Sequence, residues 1–495
     1  MNRREFLAGS LAPSALRAAT PAERSFKHRI AFTLWINDVR NRVAPLENWP
    51  SGVLDDETVD SIIRALDLQA VAGYNAVDFC GLLATAAWPV EIATVASPAR
   101  RKHVERIIRA AHERQLRVIA FPAGVLSWGF DTIIQHDPAV RSDNKHVMNP
   151  LREESWEWQR KVFDFVLDNF GIDGVHLESA DLGRCRTKEC LDKWPNDVAY
   201  HCHVTARTAE YLRRKRPGLL LEATLQAFKK WGEVFTPEEI GHVADLSRTV
   251  DCIFDQGHQG TYVPEEARRD FLARLHCDYG TSGGLWVYPP QRWSRTRWFL
   301  PVTQRAGRHI RRLYSDGGRG LMYYQGPVRN PGAEVNVAFG GRLMLKPDSS
   351  AEEVLSEVLE MLYRPRDSQA HDALVGVFRR AEDAYFGEWD PERIRKANGR
   401  GVPGELHLHQ LSGSSPNAAI YLAEPFLTAE GRLRYKQTLV SIYRQLAELD
   451  GRFADGGRLN RIRESIECVV ADINNIAFGK GEKEVFDDSK IGQWI

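Results

Sequence analysis

The sequence predicts an α/β protein, a (β/α)8 TIM barrel followed by a C-terminal helical domain. Three observations carry that expectation. Eight short apolar runs begin near residues 29, 75, 116, 172, 219, 251, 283 and 319, and their continuous apolar character suits strands buried on both faces. The 32–56 residues between successive starts leave room for a helix after each strand, the alternation of a parallel sheet with an outer helical layer. From about residue 346 onward only helical spacing is found. No glycine-rich dinucleotide fingerprint follows the first run and no Walker-type loop occurs, so an open doubly wound sheet has little support.

The elements follow in order. Residues 29–38 form the first strand, with Thr33, Trp35 and Asn37 on one face. Asp55 is a suitable N-cap for a helix reaching about Val71, which Gly73 ends. The second strand (75–80) leads to a helix over 98–115, with Val104, Ile107, Ile108 and Ala111 on its buried stripe. The third (116–121) is closed by Pro122. A longer excursion containing Trp128 then leads to a helix that begins at Asn149-Pro150 and ends before Gly171.

The fourth strand lies in IDGVHLESADLGRCRTKEC (172–190), and its helix, 197–215, stops at Pro217-Gly218. The fifth strand spans 219–224, with the next helix opened by Thr236-Pro237. The sixth spans 251–256, with a helix over 264–276. The seventh spans 283–289, with a helix over 298–314, and the eighth spans 319–325. Beyond them, Ser349 or Ser350 with Glu352 or Glu353 forms a capping box. Further helices are expected over 368–387, 427–449 and 457–478, with a Gly/Pro/Ser/Asn-rich loop at 395–420.

Composition narrows the function classes. The 66 basic and 66 acidic residues cancel, so nothing favours nucleic acid or an anionic membrane as partner. No apolar run reaches the ~18 residues of a transmembrane helix. Thirteen Trp among 495 residues is a rich allotment, and several stand at strand ends where a ring can stack on a sugar. The N-terminus, MNRREFLAGSLAPSALRAATPAE, has the twin arginines Arg3 and Arg4 ahead of a weakly apolar Ala/Ser stretch. This pattern predicts a twin-arginine export signal over residues 1–22, cleavage after Ala22, and a periplasmic or secreted mature protein. The barrel is then expected over 28–345 and the helical domain over 346–495.

At the C-terminal ends of the strands the chain places carboxylates, amides and aromatics, the face on which such barrels keep their chemistry. The expected catalytic set is Glu178, Asp255, Glu222 and Asp181. The expected substrate-binding set is Trp35, Asn37, Asp38, His176, Tyr288, Tyr323, Tyr324 and Gln325, with Asp78 or Cys80 also at the mouth. Paired carboxylates beside aromatic platforms suit glycoside hydrolysis. One protonated acid donates to the leaving oxygen, and an ionised partner activates water or attacks the anomeric carbon. Glu178 is the expected acid, with Asp255 or Glu222 opposite it. His176 lies one layer below and orients Glu178, and only one of Tyr323 and Tyr324 can face the site because side chains alternate.

This strand-end set lacks a Ser nucleophile elbow, a Cys–His pair with supporting spacing and an HExxH helix, and no cofactor or metal is expected. Cys185 and Cys190 are spaced unlike zinc ligands and are read as a loop-pinning disulfide or two free thiols.

GVHLESADLGRCRTKEC with the preceding NPLREESWEWQ, and NVAFGGRLMLKPDSSAEEVLSEVLEMLYRP, resemble segments of α-glucuronidase-like and hexosaminidase-like barrel glycosidases. The resemblance spans roughly residues 140–385 and implies an acid at Glu178 and a carbohydrate substrate. The sequence has Glu178 and Asp181 in place of the adjacent Asp-Glu pair of hexosaminidases, which favours the α-glucuronidase pattern of an acid on strand four with acidic partners on later strands. The function expected is an exported glycoside hydrolase acting on a polysaccharide or oligosaccharide. The alternatives are a catalytically inactive carbohydrate-binding barrel and a uronide lyase using Tyr288 or a His as base.

Overall fold

The computed structural model describes residues 25–34, 54–80, 82, 88–229, 233–255, 262–263, 265–284, 298–324, 330–386 and 429–474. Eight parallel strands close into a barrel: β1 (His28–Leu34), β2 (Ala76–Cys80), β3 (Arg117–Phe121), β4 (Gly174–Leu177), β5 (Leu220–Thr224), β6 (Cys252–Asp255), β7 (Asp278–Gly284) and β8 (Gly320–Tyr324). Each pairs with the next, and β1 pairs with β8 to leave no edge. The lumen is a packed core of its own, filled by Ile30, Phe32, Ala76, Ile119, Phe121, Leu220, Cys252, Phe254 and Met322.

The outer layer consists of α1 (Asp56–Ala72), α2 (Pro98–Glu113), α3 (Glu153–Asn169), α4 (Asp197–Lys215), α5 (Pro237–Leu246), α6 (Arg268–Leu272), α7 (Gln304–Asp316) and α8 (Pro331–Leu345). The local signals act as expected. The Asp55 side chain accepts from Thr58 N at 2.9 Å, and Gly73 ends α1 at φ 102°, a conformation that glycine adopts without steric cost. Beyond the barrel come α9 (Ala351–Tyr363), α10 (Ser368–Phe386), α11 (Ala429–Glu448) and α12 (Gly456–Asn474). Ser350 and Glu353 close the capping box of α9.

Two elements depart from expectation for the same reason, close packing against glycine. The seventh strand is Asp278–Gly284 rather than 283–289. Its DYGTSGG sequence has no apolar run because Phe254 of β6 fills that layer of the lumen. A Cβ on Gly280 would lie 2.6 Å from the Phe254 ring and 2.6 Å from the Gly320 carbonyl. Helix α8 follows the eighth strand where the spacing predicts no helix. It carries Gly340 against the Tyr323 ring, where a Cβ would stand 2.5 Å from an aromatic carbon. Helices here obey contact with the barrel wall before they obey propensity. Separately, the helix expected over 264–276 is shortened to a 3-10 turn (Glu265–Ala267) and α6.

The C-terminal helices are tied to the barrel by a buried carboxylate. Glu382 on α10 is fully buried and accepts from the backbone N–H groups of Thr303 (2.7 Å), Gln304 (3.0 Å) and Arg305 (3.0 Å). It thereby caps the start of α7, where free N–H groups and the helix dipole favour an anion. Arg458 of α12 makes a second tie, pairing with Glu334 of α8 at 3.0 Å. Glu382→Ala should cost about 3 kcal/mol of stability by orphaning these donors. An unchanged denaturation midpoint would show that the cap is dispensable.

Candidate active site

The mouth of the barrel is built outward from β4. His176 and Glu178 share its inner face, with His176 1% exposed and Glu178 5% exposed. The His176 Nδ1 lies 2.7 Å from Asp78 Oδ2 of β2 and 3.1 Å from Glu222 Oε1 of β5. Its ring stacks on Phe121 of β3, centroids 4.1 Å apart at 17°. Burial alone would depress the imidazole pKa, but Asp78 and Glu222 more than reverse this and raise it to about 10. The Glu222 carboxyl is raised to about 7, by burial first and by the Asp78 charge, with His176 pulling the other way. The layer is therefore an imidazolium held between two carboxyl groups inside the lumen.

Glu178 stands above this layer, where the barrel opens. Burial and the charge of Asp181 push its carboxyl up to about 8, against the opposing pull of His176 and of a hydrogen bond with Trp128. Its protonated form thus dominates at neutral pH. Asp181 is exposed on the loop after β4 and accepts from Gln226 Nε2 at 3.2 Å.

The loop that brings Trp128 to Glu178 and the loop that brings Gln226 to Asp181 each contain a non-glycine residue in the left-handed region. Leu126 (φ 53°) precedes Trp128, and Ala227 (φ 57°) follows Gln226. Leu126 is held there by Gln159 of α3, whose Oε1 accepts from its N–H at 2.7 Å. Such backbone persists where the surroundings fix it, often around functional groups. Trp128, half-buried, packs edge-on to Phe121 at 5.0 Å and supplies an aromatic face at the mouth.

The expected site residues separate into groups. Glu178, Asp181, Glu222 and His176 gather at or beneath the mouth, together with Asp78. Asp255 does not. Cys252 and Phe254 of β6 fill the lumen, so Ile253 and Asp255 face the helical layer. Fully buried there, Asp255 accepts from the Tyr279 hydroxyl and the Tyr262 N–H, both at 3.3 Å. The placement of Asp255 opposite Glu178 is corrected: its position at the strand's end suggested the mouth, but alternation with the lumen-facing Cys252 and Phe254 turns it outward. Asp255→Asn is expected to cost about 1–3 kcal/mol of stability through weakened buried hydrogen bonds while leaving turnover within a few-fold. A loss of turnover as deep as that of a Glu178 variant would reverse this assignment.

Tyr323 is corrected too. It lies in the outer core against Tyr74 and Gly340, out of reach of a substrate. Tyr324 closes β8 in register with Phe32 and Gly284. Trp35, Asn37, Asp38, Tyr288 and Gln325 lie outside the described residues, and of Cys80 and Tyr324 only the backbone is described.

Trp128 and Gln226 were not anticipated as site residues. A tryptophan in a loop bracketed by Gly124 and Gly129, directly after the third strand, was the available signal for the first. None marked the second. Among the described residues Asp78, His176 and Glu222 also form a set able to hold a metal ion, with ligand atoms within 4.8 Å of one another. As the site stands, the two hydrogen bonds of His176 Nδ1 link the three side chains directly.

These features define the chain as a (β/α)8 barrel whose mouth presents a protonated buried glutamic acid beside an exposed carboxylate. Solved structures with this fold include glycoside hydrolases. A GH138 enzyme targeting pectin rhamnogalacturonan II aligns with a TM-score of 0.53 at 11% identity, over 90% of this chain and 57% of its own. A Thermobaculum terrenum O-GlcNAc hydrolase aligns at 0.49 and 9% identity over 90% of this chain and 83% of its own. CpGH84B aligns at 0.48 and 10% over 91% and 69%. At 11% identity, the fold is what the GH138 enzyme shares with this chain. No protein-family model matches the chain, and no curated protein matches it.

Proposed function

We propose that the protein is a glycoside hydrolase in which Glu178 is the general acid and Asp181 its partner carboxylate. The observation that carries this reading is the asymmetry of the two groups. Glu178 is buried, with its carboxyl raised to about 8, while Asp181 is exposed a short loop away. An acid that keeps its proton at neutral pH beside a solvated carboxylate is the division of labour glycoside cleavage requires. Glu178 gives its proton to the glycosidic oxygen as the bond breaks. Asp181 serves the anomeric carbon, as base toward water or as nucleophile, the choice set by the separation of the two groups around a bound sugar.

Trp128 provides a platform for the sugar ring and a donor to Glu178. His176, between Asp78 and Glu222, fixes the floor beneath the acid. A polysaccharide or oligosaccharide substrate agrees with the Trp128 ring beside Glu178, and the Arg3-Arg4 leader supports export of the mature chain. The test is release of reducing sugar from a panel of aryl glycosides and polysaccharides by the mature protein. Saturable sugar binding with no release from any of them would favour a binding barrel instead, and eliminated unsaturated products would favour a lyase.

A further inference from the structure

We propose that Cys185 and Cys190 are joined by a disulfide in the mature protein, stapling the loop on which Asp181 rides. The two residues lie in the segment that leaves β4, four and nine positions after Asp181. Both are fully buried, and their thiols stand within hydrogen-bonding reach of each other. Thr187 sits between them. Its Oγ1 is 3.4 Å from Cys185 Sγ and accepts from the Cys190 N–H at 3.4 Å, while the Cys190 thiol donates to Asn149 Oδ1 at 3.6 Å.

The backbone that carries the pair is held from inside by Arg184, itself 2% exposed. Its guanidinium donates to the Cys185 carbonyl (3.1 Å), the Cys190 carbonyl (3.3 Å) and the Trp194 carbonyl (2.8 Å). It also pairs with Asp197 at 2.9 Å and lies 4.3 Å from the Tyr200 ring centroid. A single buried cation therefore sets the positions of both cysteines before any bond forms. Two facing thiols held in this way have little entropy left to lose on closure, whereas the unfolded chain loses the freedom of the closed loop.

The chemistry is thiol–disulfide exchange with a small-molecule or protein disulfide, the class of oxidant an exported chain meets. The thiolate of one cysteine attacks a sulfur of that oxidant and expels one of its thiolates, giving a mixed disulfide. The second cysteine, as thiolate, attacks the protein sulfur of that intermediate, the Cys185–Cys190 S–S bond forms, the mixed S–S bond breaks, and the oxidant's second thiolate leaves. Two electrons pass to the oxidant, and the two protons released by the cysteines end on its thiols. In the folded chain burial pushes the Cys190 thiol up to about 12, so exchange belongs to folding or to an opened loop, and the finished bond is shielded from reductant.

The test is thiol counting on the full mature chain after equilibration in an oxidised/reduced glutathione buffer. The protein is denatured and alkylated without reductant, then digested and weighed. Of seven cysteines, five should be alkylated (seven less the bridged two), with a cross-linked peptide pair containing Cys185 and Cys190. Prior reduction should restore all seven. Seven alkylated cysteines without reductant, or a bridge to another cysteine, overturns the proposal. As a second measurement, C185S/C190S should melt roughly 2 °C below the wild type in oxidising buffer and level with it in reducing buffer. A gap of the same size in both buffers would assign the stability to packing and not to the bond.

Discussion

Glu178→Gln should lower kcat by about 10²–10⁴-fold, the range for loss of a positioned general acid, while sugar affinity changes little. The substitution keeps the volume, the hydrogen-bonding reach toward Trp128 and the packing over His176, and removes only the transferable proton. The loss should therefore appear in the chemical step, since the proton moves in the transition state and not on binding. Substrates whose leaving group needs no protonation should suffer least. Turnover equal to that of the wild type on a poor leaving group would end the assignment of Glu178 as the acid.

His176→Leu should be the most destabilising single change at the site, by about 3–5 kcal/mol. The imidazolium is the shared partner of Asp78 and Glu222, at 2.7 Å and 3.1 Å, in a layer where none of the three is more than 1% exposed. Without it two carboxyls face each other in the lumen, and the Phe121 stack is replaced by an aliphatic contact. The double variant His176→Leu with Glu222→Gln should recover part of the loss, since it removes one of the two stranded acids. Thermal or denaturant unfolding reads both. A His176→Leu protein of wild-type stability would mean that His176 is not the charged partner that holds the two carboxyls together.

Much of this architecture was legible in the chain. Seven of the eight strands begin within a residue or two of their apolar runs, because a parallel barrel buries both faces of each strand. The helix caps at Asp55, Thr236 and Ser350 were legible because capping is local chemistry. The seventh strand was not. Gly280 is there to clear a phenylalanine from another strand, and no local pattern reports a neighbour's side chain.

The site divides in the same way. His176 and Glu178 fall on one face by simple alternation, and their strand was recognised. Asp255 required knowing which face of β6 points inward, which Cys252 and Phe254 settle only through contacts across the lumen. The union of Asp78, His176 and Glu222 is a meeting of residues 46 and 98 positions apart from the histidine, invisible to spacing. Gln226 reaches Asp181 across 45 residues, again through tertiary contact alone.

The raised Glu178 carboxyl also has a thermodynamic signature. It moves from an ordinary value of 4.5 to about 8 in the folded chain, so over that window the native state keeps a proton that the unfolded chain releases. Its contribution to stability is therefore greatest at low pH and declines as pH rises from 4.5 toward 8. With Glu178 as the proposed acid, the same group is expected to set the alkaline side of catalysis.

The most direct measurement is the pH dependence of kcat/KM for the wild type and Trp128→Phe on one substrate. With Glu178 as acid, the wild-type rate should fall about tenfold per pH unit above a midpoint near 8. Trp128→Phe removes a hydrogen bond that favours the ionised carboxylate, so its midpoint should move to higher pH. An alkaline limb near an ordinary carboxylate value, or one that the tryptophan substitution leaves in place, would contradict the account.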